Sequence, residues 1–193
     1  STEVPINASA QYLAKKLSTD LAGTGIYIKK KTRVLLGPLK SGTSGDINFK
    51  LMGKNNDLLS ITATIDANDI SALAKSINQY SSQTGLKAIN TSDFDQLIIE
   101  SEDGYDISIT EISAPSDFNI FSLDENFNKI SDALSIDVSS TDKVSAYIKG
   151  NIKFTSSQSF NNQIDSGLII SASQNPLDDG YIDVSLNSSG ENA

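Results

Sequence analysis

Apolar positions recur along this chain at two periods, and their limits outline most of the fold. Ala10, Leu13, Ala14, Leu17 and Leu21 fall at helical spacing, which predicts an amphipathic helix over about 9–22. Asn7 or Ser9 can accept from the free amides at its start, and Gly23 can take the left-handed stop. A second stripe, Ile70, Leu73, Ala74, Ile77 and Tyr80, predicts a helix over about 68–82, capped by Asn68 or Asp66. Elsewhere the period is two. Ile47, Phe49 and Leu51 alternate with polar residues, and Leu59, Ile61, Ala63 and Ile65 answer them after a turn at Gly53–Asp57. Gly25-Ile26-Tyr27-Ile28 reads as a strand that the basic run Lys29, Lys30, Lys31 and Arg33 breaks before Val34-Leu35-Leu36. Leu86-Lys87-Ala88-Ile89 follows the second helix as a strand. Leu97-Ile98-Ile99 and Tyr105–Ile109 are expected to form a hairpin across Asp103-Gly104.

Ala114-Pro115-Ser116 reads as a boundary, because proline restricts its predecessor and the composition changes there. It divides a helix-and-hairpin module, 1–113, from a mostly β segment, 114–193. In that second part Val144, Ala146, Ile148, Gly150, Ile152 and Phe154 alternate over the longest such run in the chain. Leu168-Ile169-Ile170 and Ile182, Val184, Leu186 are further strands, separated by a turn at Asn175-Pro176 and Asp178-Asp179-Gly180, and Asn187–Ala193 reads as a fraying tail. The expected fold class is α+β: mainly antiparallel β-sheet with two amphipathic helices.

The two helical stripes also resemble one another. Leu13-Ala14-Lys15, Leu17 and Thr24-Gly25-Ile26 recur sixty positions later as Leu73-Ala74-Lys75, Ile77 and Thr84-Gly85-Leu86. A constant offset marks a unit used twice, although two amphipathic helices before a Thr-Gly turn can also match without common origin.

Composition narrows the chemistry. The 193 residues include no Cys, His or Trp, with 38% hydrophobic and 20% charged residues. Cys-His and Ser-His-Asp nucleophilic catalysis are therefore absent, and thiolate or imidazole metal sites with them. No disulfide indicates the compartment. A net charge of −9 and a pI near 4.4 argue against nucleic acid as a partner. No run of eighteen apolar residues suits a membrane span. Ser1-Thr2-Glu3-Val4-Pro5 lacks the basic and apolar regions of a secretory signal, and reads as a mature fragment or a piece of something longer. Residues 1–54 carry nine basic and three acidic side chains, whereas 55–193 carry six basic and twenty-one acidic. The basic run Lys29, Lys30, Lys31 and Arg33 either covers a solvated strand edge or meets the acidic part of a neighbouring subunit.

Over residues 45–112 the order is hairpin, helix ending in Ile77-Asn78, Thr84-Gly85-Leu86, a Leu97-Ile98-Ile99 strand, and Gly104 before Tyr105–Ile109. This segment resembles the flagellin hook IN motif, named for its Ile-Asn pair. The resemblance implies a non-catalytic structural module of flagellins, hook-associated proteins or tailed-phage virion proteins, with other structural subunits as partners. It covers about a third of the chain. The copy at 6–26 departs from it, with Leu17-Ser18 in place of Ile-Asn, and 113–193 does not match. Physically, Ile70, Leu73, Ala74 and Ile77 should cover one sheet face, Asn78 should bond the backbone where the helix ends, and Gly85 should supply a left-handed turn.

Carboxylates are the remaining candidates for chemistry. Glu100, Glu102, Asp103 and Asp106 cluster around one turn and could hold Ca²⁺ or act as general acid and base; a solvated acidic turn is the plainer reading. Asp178-Asp179 is a second candidate. Ser140-Thr141-Asp142-Lys143 fits the S-x-x-K pattern, but such matches arise by chance in a chain this rich in Ser and Lys. No cofactor and no catalytic residue is expected. The function expected is a structural module of an external assembly. A tailed-phage virion protein comes first, and a flagellar hook-associated or flagellin surface domain or a carbohydrate-binding adhesin module is the alternative. The location expected is the virion or an extracellular appendage, with a surface glycan as a further partner.

Overall fold

The computed structural model of the chain describes residues 8–139 and 144–156, where alternating apolar residues sort ten strands into two sheets. The first half runs α1 (Ala10–Asp20), β1 (Ile26–Leu36), β2 (Ser44–Met52), β3 (Leu59–Asp66), α2 (Ser71–Asn78) and α3 (Ser81–Thr84). After these come β4 (Lys87–Asn90), β5 (Leu97–Ser101), β6 (Ile107–Ser113), β7 (Phe118–Ser122), β8 (Leu134–Ile136), β9 (Ala146–Ile148) and β10 (Asn151–Ser156). One sheet has the order β4-β5-β1-β7-β8 with β10 also on β1; the other has the order β3-β2-β6-β9. Every pairing is antiparallel. The class is α+β, as the periods predict.

A single apolar cluster joins the sheets. Val34, Leu36, Leu97, Ile99 and Ile120 enter it from one sheet, Ile47, Phe49, Leu51, Ile61, Ile107 and Ile109 from the other, and Leu73, Ala74 and Ile77 from α2. Burying a side chain of this size contributes about 1.5–3 kcal/mol, which favours the alternation over any register slipped by one residue. The predicted β2–β3 hairpin forms, with Ile47 opposite Ala63 and Phe49 opposite Ile61. Between Asn48 and Lys50 the β2–β6 pairing shifts, and Glu111 takes a φ of 53° in the bulge.

Four local expectations change. The basic run does not interrupt β1, which is continuous for eleven residues; acidic partners on neighbouring segments absorb its charge, as described below. Leu97–Ile99 and Tyr105–Ile109 do not form a hairpin. β5 pairs with β4 and β1, while β6 pairs with β2 and β9, so Glu102–Asp106 arches from one sheet to the other. The long alternating run from Val144 to Phe154 is two strands: β9 joins β6, and β10 joins β1 after a break at Lys149-Gly150. The second helix is shorter than 68–82 and splits into α2 and the single turn α3. Its first turn is served by Asp69, which accepts from the Ser71 amide, while Asp66 accepts from Asn68. The first helix keeps its predicted cap, the Tyr12 amide donating to Ser9 Oγ at 3.2 Å. Ala114-Pro115-Ser116, the expected boundary, lies where the chain crosses from β6 to β7. Strands expected near Leu168–Ile170 and Ile182–Leu186 lie outside the described residues, as do the neighbouring turn and the tail.

Candidate functional site

The Ile77-Asn78 pair closes the open side of the two sheets. Ile77 is buried in the core, and Asn78 lies where α2 reaches the edge strand β4. Its side-chain amide donates to the Ala88 carbonyl at 2.9 Å and accepts from the Ala88 amide at 2.8 Å. One side chain thereby does for β4 what another strand would do. Two residues earlier, Ser76 Oγ donates to the Thr62 carbonyl on the edge strand β3 at 2.8 Å. The helix therefore guards one edge of each sheet, β4 and β3, which would otherwise offer unpaired main-chain groups to other chains.

The Thr-Gly turn that follows is equally determined. Thr84 Oγ1 donates to the Tyr80 carbonyl and accepts from the Leu86 amide, and Gly85 takes a φ of 67°. The Lys54 amide donates to the Thr84 carbonyl at 2.8 Å, tying the turn to the β2–β3 hairpin. The earlier Thr-Gly repeats this chemistry: Thr24 Oγ1 donates to the Leu21 carbonyl, the Ile26 amide donates to Thr24 Oγ1, and Gly25 has a φ of 76°. The repeat in the sequence is thus also a repeat in turn geometry. Ser18 holds the place of Asn78, however, and α1 docks differently. Its Gln11 amide donates to the Gly104 carbonyl, and Ala10 sits over Gly104 and Gly150.

The two charged groups singled out in the sequence are brought together. Lys30 pairs with Asp103 at 3.4 Å, Lys31 with Glu102 at 2.7 Å and with Glu100 at 3.9 Å, and Arg33 with Glu100 at 2.8 Å. Lys149 pairs with Asp106 at 2.7 Å. Each of the four candidate carboxylates therefore faces a cation of the same chain. The hydrogen bond from Lys31 holds the Glu102 carboxyl below its ordinary value, against a smaller opposing effect of burial. Among the described residues no group of three or more acidic side chains converges to hold a metal ion. Lys29 is the member of the basic run that stays exposed, on the face of β1 that carries Tyr27. Asp178-Asp179 and Ser140-Thr141-Asp142-Lys143 lie outside the described residues.

Arg33 also anchors a loop that no sequence period announces. Only 8% exposed beside Glu100 at 6%, it donates through Nη1 to the carbonyls of Asp124 and Glu125. Its guanidinium lies 3.9 Å from the centre of the Phe127 ring. Asp124 accepts from the Asn126 and Asn128 amides and from the Asn128 side chain, and the Asn128 bonds chiefly lower its pKa. The Asp-Asn-Asn spacing at 124, 126 and 128 is the sequence trace of that turn. Lys153 closes the loop from β10 by pairing with Glu125.

Residues 46–103 match the flagellin hook IN motif. No curated protein matches the chain. Among solved structures, the D2-D3 domains of the flagellar cap protein FliD from Escherichia coli align over 68% of this chain and 96% of theirs. Their identity is 13% and the TM-score 0.26, a likeness too slight to carry any argument. The hook IN match favours the flagellar alternative, and neither of these matches supports a tailed-phage virion protein.

Proposed function

We propose that this chain is a non-catalytic structural module of an extracellular appendage of the flagellar kind, a surface domain of a flagellin or hook-associated protein in contact with other subunits. One observation carries the reading: the hook IN match over residues 46–103 coincides with the part whose Ile77-Asn78 and Thr84-Gly85 interactions close the two sheets. The carboxylates, the plainest candidates for catalysis, support it by their ion pairs, since each is engaged structurally. Immunogold labelling of intact producing cells with antibody to this chain tests the proposal. Gold along filaments or hooks is expected. Label confined to phage particles would transfer the chain to a virion, and label confined to the cell interior would overturn an external role. A glycan array addresses the adhesin alternative, for which selective binding of one sugar would be the mark. Hydrolysis of a glycoside lost in Glu102→Gln would make the chain an enzyme instead.

A further inference from the structure

The two ends of β1 carry surfaces of opposite chemistry. At the Ile26 end, β1 and β10 form a two-stranded ribbon in which Lys29 stands opposite Lys153 and Tyr27 is 67% exposed. Like charges directly across a strand pair repel. Lys153 is relieved by Glu125, whereas Lys29 makes no ion pair with a described residue. At the Leu36 end lies the loop between β4 and β5, adjoining Leu97 and Gly37, with Asp93-Phe94-Asp95 at its tip. Phe94 is 50% exposed at a φ of 60°, a conformation that bulky residues rarely adopt. The loop is held there: the Ile70 amide donates to the Phe94 carbonyl, the Phe94 amide to the Thr91 carbonyl, and the Thr91 amide to the Gln96 carbonyl. An exposed aromatic is thus presented rigidly between two acids.

We infer that copies of this chain associate head to tail, the Asp93-Phe94-Asp95 tip of one meeting the Tyr27, Lys29 and Lys153 face of the next. The proposal rests on the assembly reading above and names the contact. The tip adjoins Leu36, and Lys29 and Tyr27 lie seven and nine residues back along β1; at about 3.3 Å per residue the two surfaces are roughly 23–30 Å apart. They cannot meet within one molecule. Between molecules they are complementary in sign, and each offers an aromatic ring. In a chain of net charge −9, a basic aromatic face and an acidic aromatic tip supply the attraction that the remaining surface opposes. Because the two surfaces differ, the contact is heterologous. Such a contact cannot close as a two-fold dimer, and with its two surfaces at opposite ends of one strand it extends copies into rows.

Sedimentation velocity on the full 193-residue chain tests this at about 20 mM and about 500 mM salt, where screening lengths differ several-fold. Open-ended, concentration-dependent growth is expected at low salt, dispersing at high salt. Lys29→Glu and Asp93→Lys should each weaken association by about tenfold, as lost charge contacts at an interface do. The double variant carries both reversals in every copy, so growth should recover. Phe94→Ser should weaken association with the melting curve little changed. A chain that stays monomeric at low salt, stops at a dimer, or ignores the reversals overturns the inference. So does a double variant that fails to recover. Because immunogold labelling is read independently, loss of this contact would leave the appendage assignment standing.

Discussion

At the scale of single residues, Asn78 is the most exacting position. Its amide satisfies both main-chain groups of Ala88, so Asn78→Ala leaves a donor and an acceptor of an edge strand without their partner. A loss of about 1–3 kcal/mol is expected. Urea titration would measure it, and faster exchange of the Ala88 amide would locate it. Asn78→Asp keeps the acceptor alone and should fall between the two. Acid acts on other residues. Glu102, Asp69 and Asp124 all have folded pKa values below their ordinary 4.5 or 3.8, lowered chiefly by bonds from Lys31, Ser71 and Asn128 respectively. Their contribution is complete above those ordinary values and is lost as pH falls through the lower folded values. Urea midpoints should therefore hold from neutral pH to about 5 and decline below about 4. Lys31→Met should flatten that decline in part; a decline unaltered by the substitution would free Glu102 from the explanation.

Among the elements, α1 is held by small contacts that can be tested directly. A β-carbon on Gly150 would come within 2.7 Å of the Ala10 β-carbon and would also strike the Thr32 hydroxyl. Gly150→Ala should lift the start of α1 from the sheets. Increased hydrogen exchange across 10–20, with β2 and β3 still protected, is the expected signature. Arg33 couples β1, β5 and the 123–130 loop. Replacing it with methionine leaves Glu100 buried without its nearest cation, at a cost of about 3–5 kcal/mol. Most of that loss should return when Glu100→Gln is added, as a thermal melt of the pair would show. These same elements show what the sequence reveals. Helical and strand periods were legible because α2, β2 and β3 each bury one face, and Ile77-Asn78 with Thr84-Gly85 was legible as a motif. Partnership was not. Asp103-Gly104 resembles a hairpin turn locally, but whether its flanking strands pair depends on β1 and β2, which are distant in sequence. Lys29–Arg33 looks too charged for a continuous strand until Glu100, Glu102 and Asp103 are seen beside it. The Arg33–Phe127 contact joins positions with no common period.

For the molecule as a whole, part of the charge imbalance along the sequence is neutralised locally, through Lys30, Lys31 and Arg33. The basic first quarter and the acidic arch meet within one chain, so a count of charges by segment overstates the field that a neighbour would meet. Among the charges outside those pairs, Lys29 lies near one end of β1 and Asp93 and Asp95 near the other. The ribbon at the Ile26 end has a mechanical consequence. Ile26 lies opposite Ser156, and six successive residue pairs connect them to Lys31 and Asn151. Tension applied across Ile26 and Ser156 loads the hydrogen bonds of an antiparallel ladder one rung after another rather than together. The ribbon should open at low force like a zip, lengthening the chain before any load reaches the sheets. From Thr32 the strand pairs with β5, and from Val34 with β7 as well, so resistance should rise sharply there. Pulling between these two positions in an optical trap should give a short, soft extension followed by one abrupt rupture. The ribbon would then serve as a shock absorber, yielding first while the hook IN fold stays intact.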